Sequence, residues 1–156
     1  MSPVEADQLL LSLAPAPPPQ GPHNSVRPTI QDGARVYVSG QVAFDGQDVP
    51  EAGKIGRDMT PEAATAQARQ AAANALHRLL HSLGSLDQVD KILKMTVYVN
   101  AVEDFRDHPT VADGASAVLH RVLGDRGHHA RAAVGVSSLP LGVPVEVELV
   151  ARIQNS

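Results

Sequence analysis

The sequence predicts an α+β fold, with one mixed sheet and two helices on one of its faces in the order β-β-α-β-α-β-β. Three observations predict it. Ala64, Ala68, Ala71, Ala75, Leu79 and Leu83 recur at helical spacing behind Thr60-Pro61-Glu62. The run Lys91 to Asn100 (KILKMTVYVN) alternates with the period of a strand. A second helical stretch separates that run from two further β-prone segments, and this pattern suits helices gathered on one side of a sheet.

Residues 1–25 read as an N-terminal arm. Pro3 to Leu13 can form a short helix with Leu9, Leu10 and Leu13 on one side, too short to stand alone. The run Ala14-Pro15-Ala16-Pro17-Pro18-Pro19 must be extended, because proline cannot donate to a helix or ladder. The arm is expected to pack on the domain or on a neighbour, and residues 26–156 to form a single domain.

Arg27 to Gln31 begins the strands. Asp32-Gly33 is a turn signal and Ala34 to Gly40 returns, so the two segments read as a hairpin. Asp45 to Asp58, rich in Gly and acids, reads as a loop. Thr60 suits an N-cap, Pro61 the first helical position and Gly84 the helix stop. Gln67, Gln70, Asn74, His77 and His81 share the side of this helix away from the alanines, and His77 and His81 are expected to be solvated. In the strand after it, Leu93, Met95, Val97 and Val99 should face one way, and Ile92, Lys94, Thr96 and Tyr98 the other. The second helix is placed at Pro109 to Leu123 with Gly124 as its stop, although Gly114 weakens it. Arg131 to Ser137 and Val143 to Ile153 read as the last strands, joined by Leu139-Pro140-Leu141-Gly142.

Composition removes several function classes. The 156 residues carry a net charge of −4 and only 3% aromatics, and no Lys/Arg run is long enough to follow a phosphate backbone, so nucleic-acid binding is not expected. With no Cys there is no thiolate metal site and no Cys nucleophile. No stretch reaches the length of a membrane span, and the start lacks signal-peptide character, so the chain reads as cytoplasmic. His77 and His81 have the spacing of a helical metal pair, but no third ligand is evident and no metal is expected. Gly124 and Gly127 belong to no phosphate-binding pattern, and Ser137-Ser138 reads as a turn.

The chemistry concentrates near the end of the chain. Glu146 and Glu148 fall on one face of the last strand, where they repel each other unless a cation or water stands nearby. Arg131, in the preceding strand, is the nearest cation in chain order. One reading is a surface salt bridge of small worth. The other is a guanidinium fork that grips a substrate carboxylate while a neighbouring Glu orients water. Spacing leaves both open.

Several motifs resemble the RidA (YjgF) family of imine and enamine deaminases. These are Val38-Ser39-Gly40-Gln41, Thr65-Ala66-Gln67-Ala68-Arg69-Gln70, and Lys94 to Val99 followed by Asp104-Phe105. The most specific is Ala130-Arg131 with Leu139-Pro140 and Val145-Glu146-Val147-Glu148, whose spacing is similar to the family's without a gap. The resemblance spans roughly residues 26–153, and the tail from His128-His129-Ala130-Arg131 to Leu139-Pro140-Leu141-Gly142 looks like a distinct branch. It implies a chorismate-mutase-like sandwich, assembled as a homotrimer with sites between subunits, and no metal or organic cofactor. It also implies that Arg131 holds the substrate carboxylate, that Glu146 positions the attacking water, and that the backbone around Ser39 and Gly40 lines the pocket. The substrate would be a small 2-aminoacrylate-type enamine, which tautomerises to an imine that water hydrolyses to a 2-oxo acid and ammonia.

Three positions depart from the family pattern. Ala133 stands where these deaminases often have Cys. The family's N-terminal tyrosine falls at Val26 or His23. Its Asn on the second helix falls near Ala112 or Asp113, where an acid would oppose a carboxylate ligand. His129, a candidate substrate contact, and His128 next to it lie beside the expected clamp, where a loop histidine could shuttle a proton or merely hydrogen-bond the backbone. A non-catalytic trimeric module that binds carboxylates or stabilises proteins is the alternative. A ribonuclease fits the acidic, aromatic-poor composition worst.

Overall fold

A computed structural model describes residues 3–21 and 25–155 of the chain, with α1 at Pro3–Leu13, β1 at Thr29–Asp32, β2 at Arg35–Gln41, α2 at Pro61–Leu83, β3 at Val89–Asn100, α3 at His108–Leu123, β4 at Ala130–Val136 and β5 at Val145–Ile153. His23 lies outside the described residues. The five strands form one mixed sheet in the order β1-β2-β5-β3-β4. Every pairing is antiparallel except β3 with β4, which α3 joins as a parallel crossover. The α+β expectation holds, with α1 as a third helix.

The helices form where their local signals are strong. Thr60 Oγ1 accepts the Ala63 N–H at 3.2 Å, Pro61 opens α2, and Gly84 closes it at φ 82°. The alanine stripe of α2 is fully buried and lets the helix lie close to the sheet. Gly114 in α3 is explained by packing: a Cβ there would lie 2.6 Å from the Thr65 carbonyl oxygen of α2. Helix propensity is given up so that two helices can touch at the backbone.

Three expectations need correction. The polar stripe of α2 is not a solvated face. Asn74 is fully buried, with its amide donating to the Val42 and Phe44 carbonyls at 2.8 and 2.9 Å, and Gln67 and Gln70 hold the Glu51 and Phe44 carbonyls. His77 is buried as well, with Nε2 2.6 Å from the Ala14 carbonyl oxygen, whereas His81 is exposed. A carbonyl can only accept, so His77 Nε2 carries the proton, and burial pulls its pKa below the usual histidine range. Long connections have orphan carbonyls to satisfy, and this stripe satisfies them.

The alternation of β3 is also broken. Its register against β5 shifts between Ile92 and Lys94, so Ile92 joins the buried side with Met95 while Leu93 is only half-buried. Finally, β4 and β5 are consecutive in the chain but not neighbours, because β3 lies between them.

The arm packs on its own domain. Ala6, Leu10 and Ala14 are buried, Leu9 only partly so, and Leu13 is exposed. Asp7 of α1 accepts the Leu86 N–H at 2.8 Å and the Ser85 hydroxyl at 2.9 Å, which ties the arm to the turn after α2.

Candidate active site

Directly opposed residues in a sheet point to the same face. Tyr98 of β3 is opposite both Glu146 and Val134, and Met95 is opposite both Leu149 and Arg131. Met95 and Leu149 are buried under the helices. Arg131 and Ala133 therefore point to the helix side, whereas Tyr98, Glu146 and Glu148 point to the open side. The expectation that Arg131 and Glu146 converge across adjacent strands is overturned within one chain. They are separated by a strand and lie on opposite faces.

Glu146 sits in a cavity of about 700 Å³ at the end of the sheet, lined also by Ser39, Gly40, Val26, Leu141 and the extended arm at Pro18 to Gly21. The pairing of β2 with β5 shifts register between Val38 and Gln41, and this irregularity turns Gly40 toward the carboxylate. A Cβ at Gly40 would overlap Glu146 Oε1. Glycine here makes room for a functional group rather than for a turn. Burial pushes the Glu146 carboxyl above the usual carboxylate range, and the like charge of Glu148 adds to the rise. Tyr98 donates a short hydrogen bond to Glu148, and this bond raises the phenol in turn.

Arg131 belongs to a second cavity, of about 560 Å³, against α3. Its Nη1 pairs with Asp113 Oδ1 at 2.7 Å and donates to Ser116 Oγ at 3.1 Å. Ser116 Oγ is 2.9 Å from His129 Nε2, and His129 Nδ1 is 2.7 Å from the Gly127 carbonyl oxygen. That carbonyl fixes the proton on Nδ1, leaving Nε2 to accept from the serine. His129 thus steadies Arg131 through Ser116 and stands away from Glu146. His128 is not part of this chain and stacks on His120 with centroids 4.8 Å apart. Asp113 is 68% exposed, so its pair with Arg131 is worth about 1 kcal/mol or less and yields readily to another carboxylate.

Arg78 and Gln41 are among the residues of the Glu146 cavity that sequence reasoning did not place in the site. Arg78 follows Gln70 and Asn74 at i, i+4 spacing, so the polar stripe carried a signal once it was known to be covered. Lys54 was also missed. It lies in a loop with no pattern, yet its ammonium donates to Asn100 Oδ1 at 2.6 Å and to the Ser137 carbonyl at 2.8 Å.

A family model described as endoribonuclease L-PSP matches residues 15–153. The chain belongs to that family. It is the RidA (YjgF) group that the motifs resemble. Protein TCP17 of Trypanosoma cruzi is 35% identical over 127 residues, covering 81% of this chain and 79% of that protein. The 2-iminobutanoate/2-iminopropanoate deaminase of Mus musculus is 28% identical over 142 residues, covering 91% and 89%. Among solved structures, the Agrobacterium tumefaciens protein Atu1372, of unknown function, has a TM-score of 0.88 at 31% identity over 97% of this chain and 93% of its own. Family membership accounts for the sheet and its helices. Among the described residues, no group of three or more His, Cys, Asp or Glu could hold a metal ion, and no helix is long and apolar enough to cross a membrane.

Proposed function

We propose that the protein is a hydrolytic deaminase of small imines bearing a carboxylate, and that its working site forms where Arg131 of one copy meets Glu146 of another in a homotrimer. The observation that carries this reading is the Glu146 carboxyl, half-buried in a cavity, raised in pKa and given room by Gly40. A carboxylate tuned upward is a better base near neutral pH than an ordinary one. The resemblance to a mouse protein named as an imine deaminase supports the same chemistry. The open face of the sheet supports assembly: Ile30, Tyr37 and Val134 are 55%, 45% and 41% exposed there. Exposed apolar side chains of this kind on a sheet face are well suited to cover by a second copy.

In this scheme Arg131 exchanges Asp113 for the substrate carboxylate. Glu146 takes a proton from a water whose oxygen bonds to the imine carbon. Glu146 returns that proton to the nitrogen, the proton of the new hydroxyl follows as the C–N bond breaks, and ammonia and a 2-oxo acid leave, with Glu146 restored to its carboxylate. No group outside the chain is required for atoms or electrons to balance. The division of labour is holding the acid end and delivering one water in line.

The test generates imines in situ from amino acids with an oxidase and measures ammonia release. Arg131→Ala and Glu146→Gln should each lower the rate at least ~100-fold, the scale of lost acid–base catalysis. Refolding the two inactive variants together should restore about a quarter of the activity, because one junction in four then joins an intact Arg131 to an intact Glu146. No recovery on mixing rejects the shared site. A module that only binds carboxylates would release no ammonia above buffer, and a ribonuclease would instead bind RNA with steep salt dependence.

A further inference from the structure

We propose that Arg78 is the anion-binding group of the Glu146 cavity, and that this cavity therefore selects imino acids whose side chain ends in a second carboxylate. The proposal rests on the deaminase reading for the imine carbon, but not for the binding of the distal acid.

Arg78 reaches from α2 to the end of β2, where Nε donates to Gln41 Oε1 at 3.1 Å and Nη2 donates to the Pro19 carbonyl at 2.6 Å. Gln41 is itself oriented, since its amide nitrogen donates to the Ser39 carbonyl at 3.0 Å. The guanidinium is thus held from both sides, by the strand and by the extended arm, and faces the same space as Glu146. Its partners are neutral. Among the described residues no carboxylate lies within ion-pair distance of it. Arginine has five N–H donors, and the two held by Gln41 and Pro19 leave three for a ligand, both on Nη1 and one on Nη2. Burial without a counter-charge pulls its pKa down, the mark of a cation that an incoming anion would stabilise.

Arg131 makes the contrast plain, because its charge is already met by Asp113. A carboxylate is the anion expected at Arg78, since a planar two-oxygen group matches the remaining edge of the fork. A space of about 700 Å³ is ample for a chain with an acid at each end.

The experiment compares imines generated from glutamate and aspartate with imines from alanine, in wild type and Arg78→Gln, and measures binding of glutarate and propionate by titration calorimetry. Wild type should prefer the dicarboxylic imines through a lower KM. Arg78→Gln should raise that KM roughly 10- to 100-fold more than it raises the KM of the alanine-derived imine, the scale of one charge-assisted hydrogen bond. Loosening the arm through Pro19 would slow both kinds of substrate alike, so the ratio between them isolates the charge. Equal loss on both, or no loss on either, overturns the proposal. Glutarate binding that depends on Arg78 in a protein releasing no ammonia from any imine would reject the deaminase reading and leave the Arg78 site standing.

Discussion

At Gly114, between the helices, and at Gly40, beside the open face of the sheet, an added Cβ has no room, but what it would strike differs. At Gly114 the obstacle is the backbone carbonyl of Thr65, 2.6 Å away, which cannot move without shifting α2. At Gly40 the obstacle is the end of the Glu146 side chain, which can swing aside. One glycine holds the helices together and the other holds a carboxylate in place. The helix-covered side is built for close packing, with buried alanines and apolar strand residues. The cavity beside the open face keeps charged groups half-buried.

That difference predicts opposite outcomes for one kind of substitution. Gly40→Ala should leave stability within about 0.5 kcal/mol, as for most changes that avoid the core. It should lower ammonia release roughly 100-fold, because a displaced carboxylate no longer delivers its water. Unfolding curves and imine turnover on the same preparation check both halves, and full activity in Gly40→Ala would break the comparison. Gly114→Ala should do the reverse. Overpacking at a backbone contact destabilises by about 1–3 kcal/mol. Activity per folded molecule should be nearly unchanged at a temperature below the lowered midpoint.

Sequence reading recovered what local patterns determine. The cap at Thr60, the stop at Gly84 and the hairpin at Asp32-Gly33 all rest on residues within a few positions of one another, and the structure has them. It failed where a distant segment decides. Whether His77 and Asn74 meet water depends on the arm at Ala14 and the loop at Val42, which lie 63 and 32 residues away. Chain order placed Arg131 beside Glu146, but a strand inserted between β4 and β5 sends them apart, and hydrophobic alternation alone cannot reveal strand order. The motif spacing flagged the residues themselves. Arg78 stayed hidden because a charged residue on a polar helical stripe looks solvated until something covers it.

Within the open face the same comparison can be sharpened to a single charge. Glu148 raises the Glu146 carboxyl only as the second cause, after burial. Glu148→Gln removes the like charge but keeps an acceptor for Tyr98. If Glu146 is the base, activity falls as pH drops through its raised pKa, so the acid limb of kcat/KM should sit above the usual carboxylate range. In Glu148→Gln that limb should move to lower pH yet stay above the usual carboxylate range, because burial, the larger cause, remains. Stability carries the opposite sign. A carboxyl whose folded pKa is raised binds more protons folded than unfolded, so the fold loses stability as pH rises from the unfolded value through the raised one. Glu146→Gln should therefore be more stable than wild type above that window and gain nothing below it. A Glu148→Gln limb that stays where wild type has it would mean that the group controlling turnover is not the carboxyl facing Gly40.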